Sequence, residues 1–176
     1  DLGYFKKVID INLVGVFNTV RLAATAISRT EPFDADGQKG AIVTLASIAA
    51  FDGQIGQAAY SASKHALNGF SDSANYELDA TGVHMSVVCP GFVSQAGMWA
   101  ARGGKAPRMM SEVSPQKVAD GVLKAIGGAE EVLVTPGPIR PLLALAQIAP
   151  GLQKRVIRRM GIVAAMRDTP QAPAGV

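Results

Sequence analysis

Three short apolar runs, separated by segments of helical period, limit this chain to few folds. The runs are "AIVTL" (41–45), "VHMSVVC" (83–89) and "EVLV" (131–134), and their lengths suit buried strands. Apolar residues recur at helical spacing over 2–29 and 58–80. Strands separated by helices imply βαβ crossovers, so the sequence predicts a parallel α/β sheet.

Helix-capping and turn-forming residues divide the remainder of the chain. Ser114 and Pro115 predict a helix start, because serine caps a helix and proline suits its first position. Residues 92–113 have no clean period, and two short helices are expected near the end of the chain. We predict one folded unit over 1–150 and a basic amphipathic tail over 151–176.

Charge and composition exclude several classes of protein. The 176 residues are 48% hydrophobic, enough for one domain with a sizeable core. The net charge is +3, but the tail alone holds five basic residues and one acidic, so the body is not a basic nucleic-acid-binding domain. Charges and turn formers interrupt the apolar runs, so the sequence predicts no membrane-spanning helix. The lone Cys89 suits a reducing cytoplasm.

The stretch "AAYSASKHAL" (58–67) places Tyr60 and Lys64 one helical turn apart. Residues four apart share a helix face. A lysine ammonium beside a phenol favours the phenolate and lowers the phenol pKa from about 10. Such a tyrosine can pass a proton to or from an alcohol or ketone oxygen. Alone the pair is a modest signal, because a helix surface holds both residues for many other reasons.

Two strand ends place further candidates beside this pair. Ser47 follows the first strand and Pro90-Gly91 follows the second, and parallel sheets build their sites at the carboxyl ends of strands. A serine hydroxyl there can hold the same substrate oxygen, and the apolar Phe92 and Val93 can form a wall for a flat ring. Ser47 as a loop cap and Pro90-Gly91 as an ordinary turn remain alternatives.

Taken together, these residues resemble the signature of the short-chain dehydrogenase/reductase family. The matching segments are "DINLVGVFN" (Asn12), "TLASIAAF" (Ser47), "YSASK" (Tyr60, Lys64) and "VVCPGFV" (Pro90, Gly91). The resemblance covers residues 2 to about 136. It implies a Rossmann-like doubly wound sheet and an oxidoreductase that uses NAD or NADP.

The resemblance also implies a role for each matching residue. Tyr60 would be the general acid/base, and Lys64 would lower its pKa and bind the nicotinamide ribose. Ser47 would hold the substrate oxygen, and Asn12 would hold a helix kink and a water. The nicotinamide ring would lie near Pro90, Gly91 and Val93, with Tyr60 and Lys64 completing the cofactor site.

Other family features do not occur in the sequence. The glycine-rich loop Thr-Gly-x-x-x-Gly-x-Gly, which binds the pyrophosphate at a helix N-terminus, and the segment Asn-Asn-Ala-Gly are both absent. Gln95 stands where the family usually has threonine. We therefore expect the C-terminal part of the family's fold, with the first strand at an unpaired edge. The alternative to an enzyme is an inactive fragment or a non-catalytic binding remnant.

Residues 92–113 correspond to the family's substrate lid. Phe92 and Trp99, with three methionines (Met98, Met109, Met110), make this segment apolar, which favours a lipophilic alcohol or ketone. Packing of these residues into a core is the other interpretation. "DGQIGQAAYSASK" resembles the same segment of 3-hydroxyacyl-CoA and hydroxysteroid dehydrogenases, so Gln57 is a further candidate substrate contact.

The remaining expectations concern partners and metals. The tail could contact an anionic membrane or an acyl carrier, or could pack on its own chain or on a second subunit. The family commonly forms dimers or tetramers through the helices at 2–29 and 58–80, so a homo-oligomer is expected at full length. His65 and His84 lack metal-ligand spacing, so no metal site is predicted.

Overall fold

The computed structural model describes residues 1–101 and 111–159, together with Gly161, Val163 and Arg167. Its centre is a parallel sheet with the strand order β1-β2-β3. The strands are β1 (Gly40–Leu45), β2 (Val83–Pro90) and β3 (Glu131–Val134). The predicted α/β class and parallel sheet are confirmed, and within the described residues β1 forms one edge.

Seven α-helices surround or extend this sheet in the described part of the chain. They are α1 (Leu2–Ile9), α2 (Gly15–Ile27), α3 (Ala58–Leu78), α4 (Gly97–Ala101), α5 (Pro115–Ile126), α6 (Arg140–Ile148) and α7 (Pro150–Arg159). A π-helical turn (Asp10–Val14) joins α1 to α2, and a short 3-10 helix (Ile48–Ala50) follows β1. The helix starting at Ser114-Pro115 is confirmed: Ser114 Oγ accepts a hydrogen bond from Lys117 N at 3.3 Å.

The alternation of side chains along β2 creates two cores. Met85, Val87 and Cys89 face α2 and α3, and all three are buried. Val88 faces the opposite side and packs with Ala125 of α5. Because successive strand residues point to opposite faces, β2 is buried on both sides. Helices on both faces are the arrangement that a buried parallel sheet requires.

Two details differ from the sequence prediction. Pro90 is the last residue of β2, paired with Val134, rather than the residue that stops the strand. Proline is tolerated there because the ladder ends at that residue. Just before the amino end of β2, Gly82 has φ +77°, and a Cβ at that position would lie 2.3 Å from the Gly37 carbonyl oxygen. Only glycine fits that turn before β2.

The helix from Leu2 to Ile27 is long and apolar enough, by length and composition, to cross a membrane. No such helix was expected from the sequence. The difference arises because the charged residues cluster towards the start of the helix, which leaves an 18-residue window with at most two charges and a mean hydropathy of 1.3. The helix packs on α3, where the Phe17 and Phe70 rings meet edge to face at 5.8 Å.

The last two helices form a hairpin with the basic residues on its outside. Arg140 makes an ion pair with Glu131 at 3.1 Å, which ties the start of α6 to β3. Leu152 of α7 is 51% exposed, whereas its neighbour Gln153 is buried, and the amphipathic character of the tail stays a prediction. The division of the chain at residue 150 stays a prediction, and Met160 lies outside the described residues.

Candidate active site

The carboxyl ends of the three strands bring most of the predicted residues to one edge of the sheet. Ser47 lies two residues beyond β1, and Gly91 follows β2 directly. Gly91 N donates to the carbonyl of Val134 at 2.9 Å, which holds the ends of β2 and β3 together. The site is therefore built on the rigid end of a hydrogen-bonded sheet.

Ser47 caps a short helical turn, which is one of the two alternatives that the sequence left open. Its backbone is extended, with φ −171° and ψ 163°, and its Oγ caps the 3-10 helix by accepting from Ala49 N at 3.2 Å. The hydroxyl also faces the Pro90 carbonyl, at a long distance of 3.5 Å. A hydrogen bond of that length is weak. The hydroxyl proton can turn to a ligand oxygen while the cap stays in place.

Tyr60 and Lys64 lie one turn apart in α3, as predicted. The Lys64 Nζ is 5.5 Å from the centroid of the Tyr60 ring. It also donates a hydrogen bond to the carbonyl of Leu45 at 2.7 Å, which fixes the ammonium at the end of β1. Burial lowers the pKa of Lys64, and the negative charge of a Cys89 thiolate would oppose that shift. The Lys64 ammonium is thus held beside the Tyr60 phenol, and its burial costs hydration free energy.

Asn12 lies in the π-helical turn between α1 and α2, where Gly15 N bonds to the carbonyl of Asp10. Its Nδ2 donates to Ser63 Oγ at 3.3 Å, and that hydroxyl donates to the Tyr60 carbonyl at 2.8 Å. Asn12 is therefore linked to the backbone carbonyl of Tyr60 through the hydroxyl of Ser63. It does not line the cavity described next, and the water implied by the resemblance stays a prediction.

A cavity of about 290 Å³ opens between the strand ends, α3 and α4. Every predicted site residue except Asn12 lines it: Ser47, Gln57, Tyr60, Lys64, Pro90, Gly91, Phe92, Val93 and Trp99. A cleft of this kind, mostly apolar with a few convergent polar groups, is typical of a small-molecule site. A larger cleft of about 790 Å³ lies at the amino ends of the strands, and none of the predicted site residues lines it.

Several residues that line the cavity were not predicted from the sequence. They are Leu45, Ala46, Ile48, Gln54, Ala96, Gly97 and Val118, and Met98 was assigned only to the lid. Gln54 is the polar one, and its backbone N–H bonds to Ser61 Oγ at 3.2 Å. The sequence held one clue to Gln54. The small residues before Lys64 include Ser61, whose hydroxyl can bond to the backbone of a neighbouring loop. No sequence signal identified Leu45, which acts through its carbonyl.

The segment after β2 covers one side of the cavity. The Phe92 and Trp99 rings lie 4.4 Å apart, and Trp99 Nε1 donates to the Glu112 carboxylate at 2.8 Å. Val93 pairs with Val113 and closes this segment at its base. Gln95 adopts φ +63°, a left-handed conformation unusual for glutamine. Met109 and Met110 lie outside the described residues.

Cys89 lies at the end of β2, buried and free. Burial, followed by the charge of Glu131, raises the pKa of its thiol to about 12. Its Sγ is 3.7 Å from Asn68 Oδ1. A thiol kept protonated in this way is a packing residue rather than a nucleophile.

Comparison with known proteins identifies the family to which this arrangement belongs. The sequence profile of the short chain dehydrogenases matches residues 1–106, which include Asn12, Ser47, Tyr60, Lys64 and the Pro90-Gly91 turn. The chain belongs to the short-chain dehydrogenase family. Its three-stranded parallel sheet, with helices on both faces, is part of that family's Rossmann fold.

Two similar proteins show how much of the family's fold is present. A ketoacyl reductase of Nostoc sp., HetN, is 38% identical over 168 residues, which are 92% of this chain and 58% of the relative. The 3-hydroxyacyl-CoA dehydrogenase type-2 of Mycobacterium avium superposes with a TM-score of 0.63 at 31% identity, over 76% of this chain and 55% of that one. The chain thus spans somewhat more than half the length of these short-chain dehydrogenase relatives.

A third solved structure shares the fold alone. It is a short chain dehydrogenase from Burkholderia cenocepacia in complex with NADP, with a TM-score of 0.68 and 24% identity. The superposition covers 91% of this chain and 60% of that one. The Rossmann-type assignment made from the sequence is confirmed by this similarity.

Proposed function

We propose that the protein is an NAD(P)-dependent oxidoreductase that transfers a hydride between a nicotinamide cofactor and a lipophilic alcohol or ketone. The observation that carries this proposal is a single cavity that Ser47, Tyr60 and Lys64 line together with Pro90 and Val93. Two similar proteins are named a ketoacyl reductase and a 3-hydroxyacyl-CoA dehydrogenase. Both names describe redox chemistry at a carbonyl or hydroxyl carbon.

The residues present fit one end of the cofactor. An ammonium (Lys64) and a phenol (Tyr60) suit the hydroxyls of a ribose, and the apolar Pro90 and Val93 suit a flat ring. Lys64 has three donor hydrogens, so it can keep its bond to the Leu45 carbonyl while it holds a ribose oxygen. The phosphates have no glycine-rich loop within these 176 residues, so that end of the site would come from elsewhere.

Each side chain has a defined task in this proposal. When bound, the nicotinamide supplies or accepts the hydride. The Ser47 hydroxyl donates to the substrate oxygen and holds it towards Tyr60. During reduction of a ketone, Tyr60 gives its proton to that oxygen, and during oxidation it takes the proton back. Lys64 stabilises the phenolate that remains after the proton leaves.

The lid and the helices suggest the substrate and the assembly. Phe92, Trp99 and Met98 line the cavity beside Gln57, which favours a lipophilic substrate. Large apolar side chains are exposed along α1 and α2, Leu2 (67%) and Leu22 (60%) among them. A homo-oligomer would cover such a face. A cytoplasmic location remains part of the proposal.

The test uses the longest form of the protein that its gene encodes. Reduction of aliphatic ketones is followed with NADH and with NADPH, in wild type, Tyr60→Phe and Tyr76→Phe. Tyr76 lies on the same helix and is 85% exposed, so its variant controls for loss of a tyrosine hydroxyl from α3. We expect Tyr60→Phe to lose at least about 100-fold in kcat/KM and Tyr76→Phe to keep full activity. Equal activity of the two variants would contradict the role of Tyr60.

One observation favours the non-catalytic alternative for the 176 residues by themselves, namely the lack of a phosphate-binding loop in the sequence. Titration of the chain with NADH and NADPH, with energy transfer from the single Trp99 as the signal, separates the two. Saturable transfer supports a cofactor site within this chain. A folded chain that shows none would support the alternative.

A further inference from the structure

Backbone hydrogen bonds tie the residues that follow β2 to the residues that precede α5. Val113 N donates to the Phe92 carbonyl at 2.8 Å, and Ser94 N donates to the Val113 carbonyl at 2.9 Å. The Ser94 hydroxyl adds a bond to the same carbonyl at 3.2 Å. Val113 itself is 1% exposed and packs with Val88 and Ala125. The backbone at Val113 is therefore anchored on the core.

Glu112 directly precedes Val113, so its carboxylate projects from this anchored backbone. The Trp99 indole Nε1 donates a hydrogen bond to Glu112 Oε1 at 2.8 Å. Bonds to a carboxylate are stronger than bonds between neutral groups, and an indole has only one N–H to donate. In the part of the chain that the structure describes, Glu112 forms no ion pair. The indole is thus the side-chain partner of this carboxylate.

Trp99 is also held by the ring of Phe92. The two ring centroids lie 4.4 Å apart at an interplanar angle of 44°, and Phe92 is buried. Both aromatic residues line the candidate active-site cavity, whereas Glu112 does not. Glu112 therefore acts on the cavity through the indole that it holds.

We infer that Glu112 is a positioning residue, which holds Trp99 in the wall of the cavity and thereby limits the width of the substrate. The role of the cavity as a substrate site rests on the proposed function. A cavity of about 290 Å³ is small for a ligand site, so displacement of one indole would change the space open to a ligand. Without its bond to Glu112, the displaced indole should become about tenfold more populated, the effect of losing one hydrogen bond to a charged group.

The first readout is the exposure of Trp99 itself, in the longest form of the protein that its gene encodes. Trp99 is the single tryptophan of these 176 residues, and subtraction of the Trp99→Phe signal isolates its fluorescence in a longer form. Acrylamide quenching and anisotropy are measured for wild type, Glu112→Ala, Glu112→Gln and Glu77→Ala. Glutamine keeps an acceptor oxygen, and Glu77 is exposed on α3 away from the cavity lining.

We expect Glu112→Ala to raise the quenching constant of Trp99 and to lower its anisotropy, because the indole loses its anchor. Glu112→Gln and Glu77→Ala should both match wild type. Equal quenching in wild type and in folded Glu112→Ala would overturn the inference. If Glu112→Ala does not fold, Glu112→Met replaces it, since methionine keeps an unbranched side chain without a carboxylate.

The second readout is selectivity between a narrow and a wide ketone. For cyclohexanone and 2-adamantanone, the ratio of the two kcat/KM values should fall by up to about tenfold in Glu112→Ala. Glu112→Gln and Glu77→Ala should keep the wild-type ratio. In a Trp99→Phe background, Glu112→Ala should have no further effect, because the indole N–H is already absent. An unchanged ratio in Glu112→Ala, or the same fall in both backgrounds, would overturn the inference.

The two readouts separate failure of this inference from failure of the proposed function. Increased quenching in Glu112→Ala, with no ketone reduced by wild type and either cofactor, would refute the proposed function and keep the contact of Glu112 with Trp99 as a positioning one. Ketone reduction with neither quenching nor selectivity changed in Glu112→Ala would refute the role of Glu112 and keep the function. Thermal unfolding of each variant shows that the fold is retained.

Discussion

Replacement of Lys64 by methionine tests the electrostatic part of the proposed chemistry. Methionine keeps an unbranched side chain and removes the charge. If the charge of a phenolate is placed at the Tyr60 ring centroid, 5.5 Å from Nζ, Coulomb's law at an effective dielectric constant of about 20 gives an attraction of about 3 kcal/mol. That energy corresponds to a fall of roughly 100- to 200-fold in kcat/KM at neutral pH.

The pH dependence sharpens this prediction. Burial lowers the pKa of Lys64 from 10.5, so its charge is lost at a pH below 10.5. The advantage of wild type over Lys64→Met should therefore shrink as the pH rises through that lowered value. The assay is steady-state ketone reduction across neutral and alkaline pH, with Lys124→Met as the control. Lys124 is exposed on α5, so its variant removes one charge far from the cavity.

Two results would refute the electrostatic argument. One is a loss of less than about tenfold in a folded Lys64→Met protein. The other is a ratio between wild type and variant that stays constant up to pH 10.5. Thermal unfolding of both proteins is measured in parallel, because the variant also loses the hydrogen bond to the Leu45 carbonyl.

Two further predictions concern the fold. Gly121→Ala places a Cβ 2.6 Å from Val134 Cγ2, and overpacking of about 1–3 kcal/mol should outweigh the helix-propensity gain of about 1 kcal/mol. Gly69→Ala, with no atom within 4 Å of its added Cβ, should instead raise the free energy of unfolding. Urea unfolding of both variants measures these changes. A Gly121→Ala protein more stable than wild type would contradict the close packing at Gly121. Cys89, whose pKa burial raises to about 12 from 9.0, should react with iodoacetamide only on unfolding, as mass spectrometry can show. Because the unfolded thiol ionises first, its contribution to stability should be lost between about pH 9 and 12, and a native protein alkylated at pH 8 would disprove this burial.

The sequence predicted those parts of the fold that depend on local pattern. The helix beginning at Pro115 and the strand Glu131–Val134 have the predicted bounds, because an N-cap, a proline and a β-rich run act within a few residues. The same is true of Tyr60 and Lys64, whose proximity follows from one helical turn. The position of Ser47 in the site was predicted from the rule that the carboxyl ends of parallel strands lie together at one edge of the sheet.

Long-range features could not be predicted in this way. The sequence cannot show that Lys64 bonds to the carbonyl of Leu45, since a carbonyl has no residue identity and lies 19 residues away. A cavity of about 190 Å³ is lined by Gly91 and Leu142, which are far apart in the sequence, and no periodicity encodes that arrangement. The burial of Gln153 beside an exposed Leu152 likewise depends on how α7 packs, which the local sequence does not determine.

The arrangement of Lys64 shows why this site needs the whole sheet edge rather than a short motif. An ammonium half-buried in α3 is destabilised by lost hydration, and that loss is the main cause of its lowered pKa. A charge-assisted bond to a carbonyl offsets part of this cost, and the end of β1 supplies that carbonyl. The strand end also leads into Ser47, whose Oγ caps the next turn. One segment of backbone thus fixes the cation and the hydroxyl together, so a shift of β1 would displace both groups from Tyr60 at once.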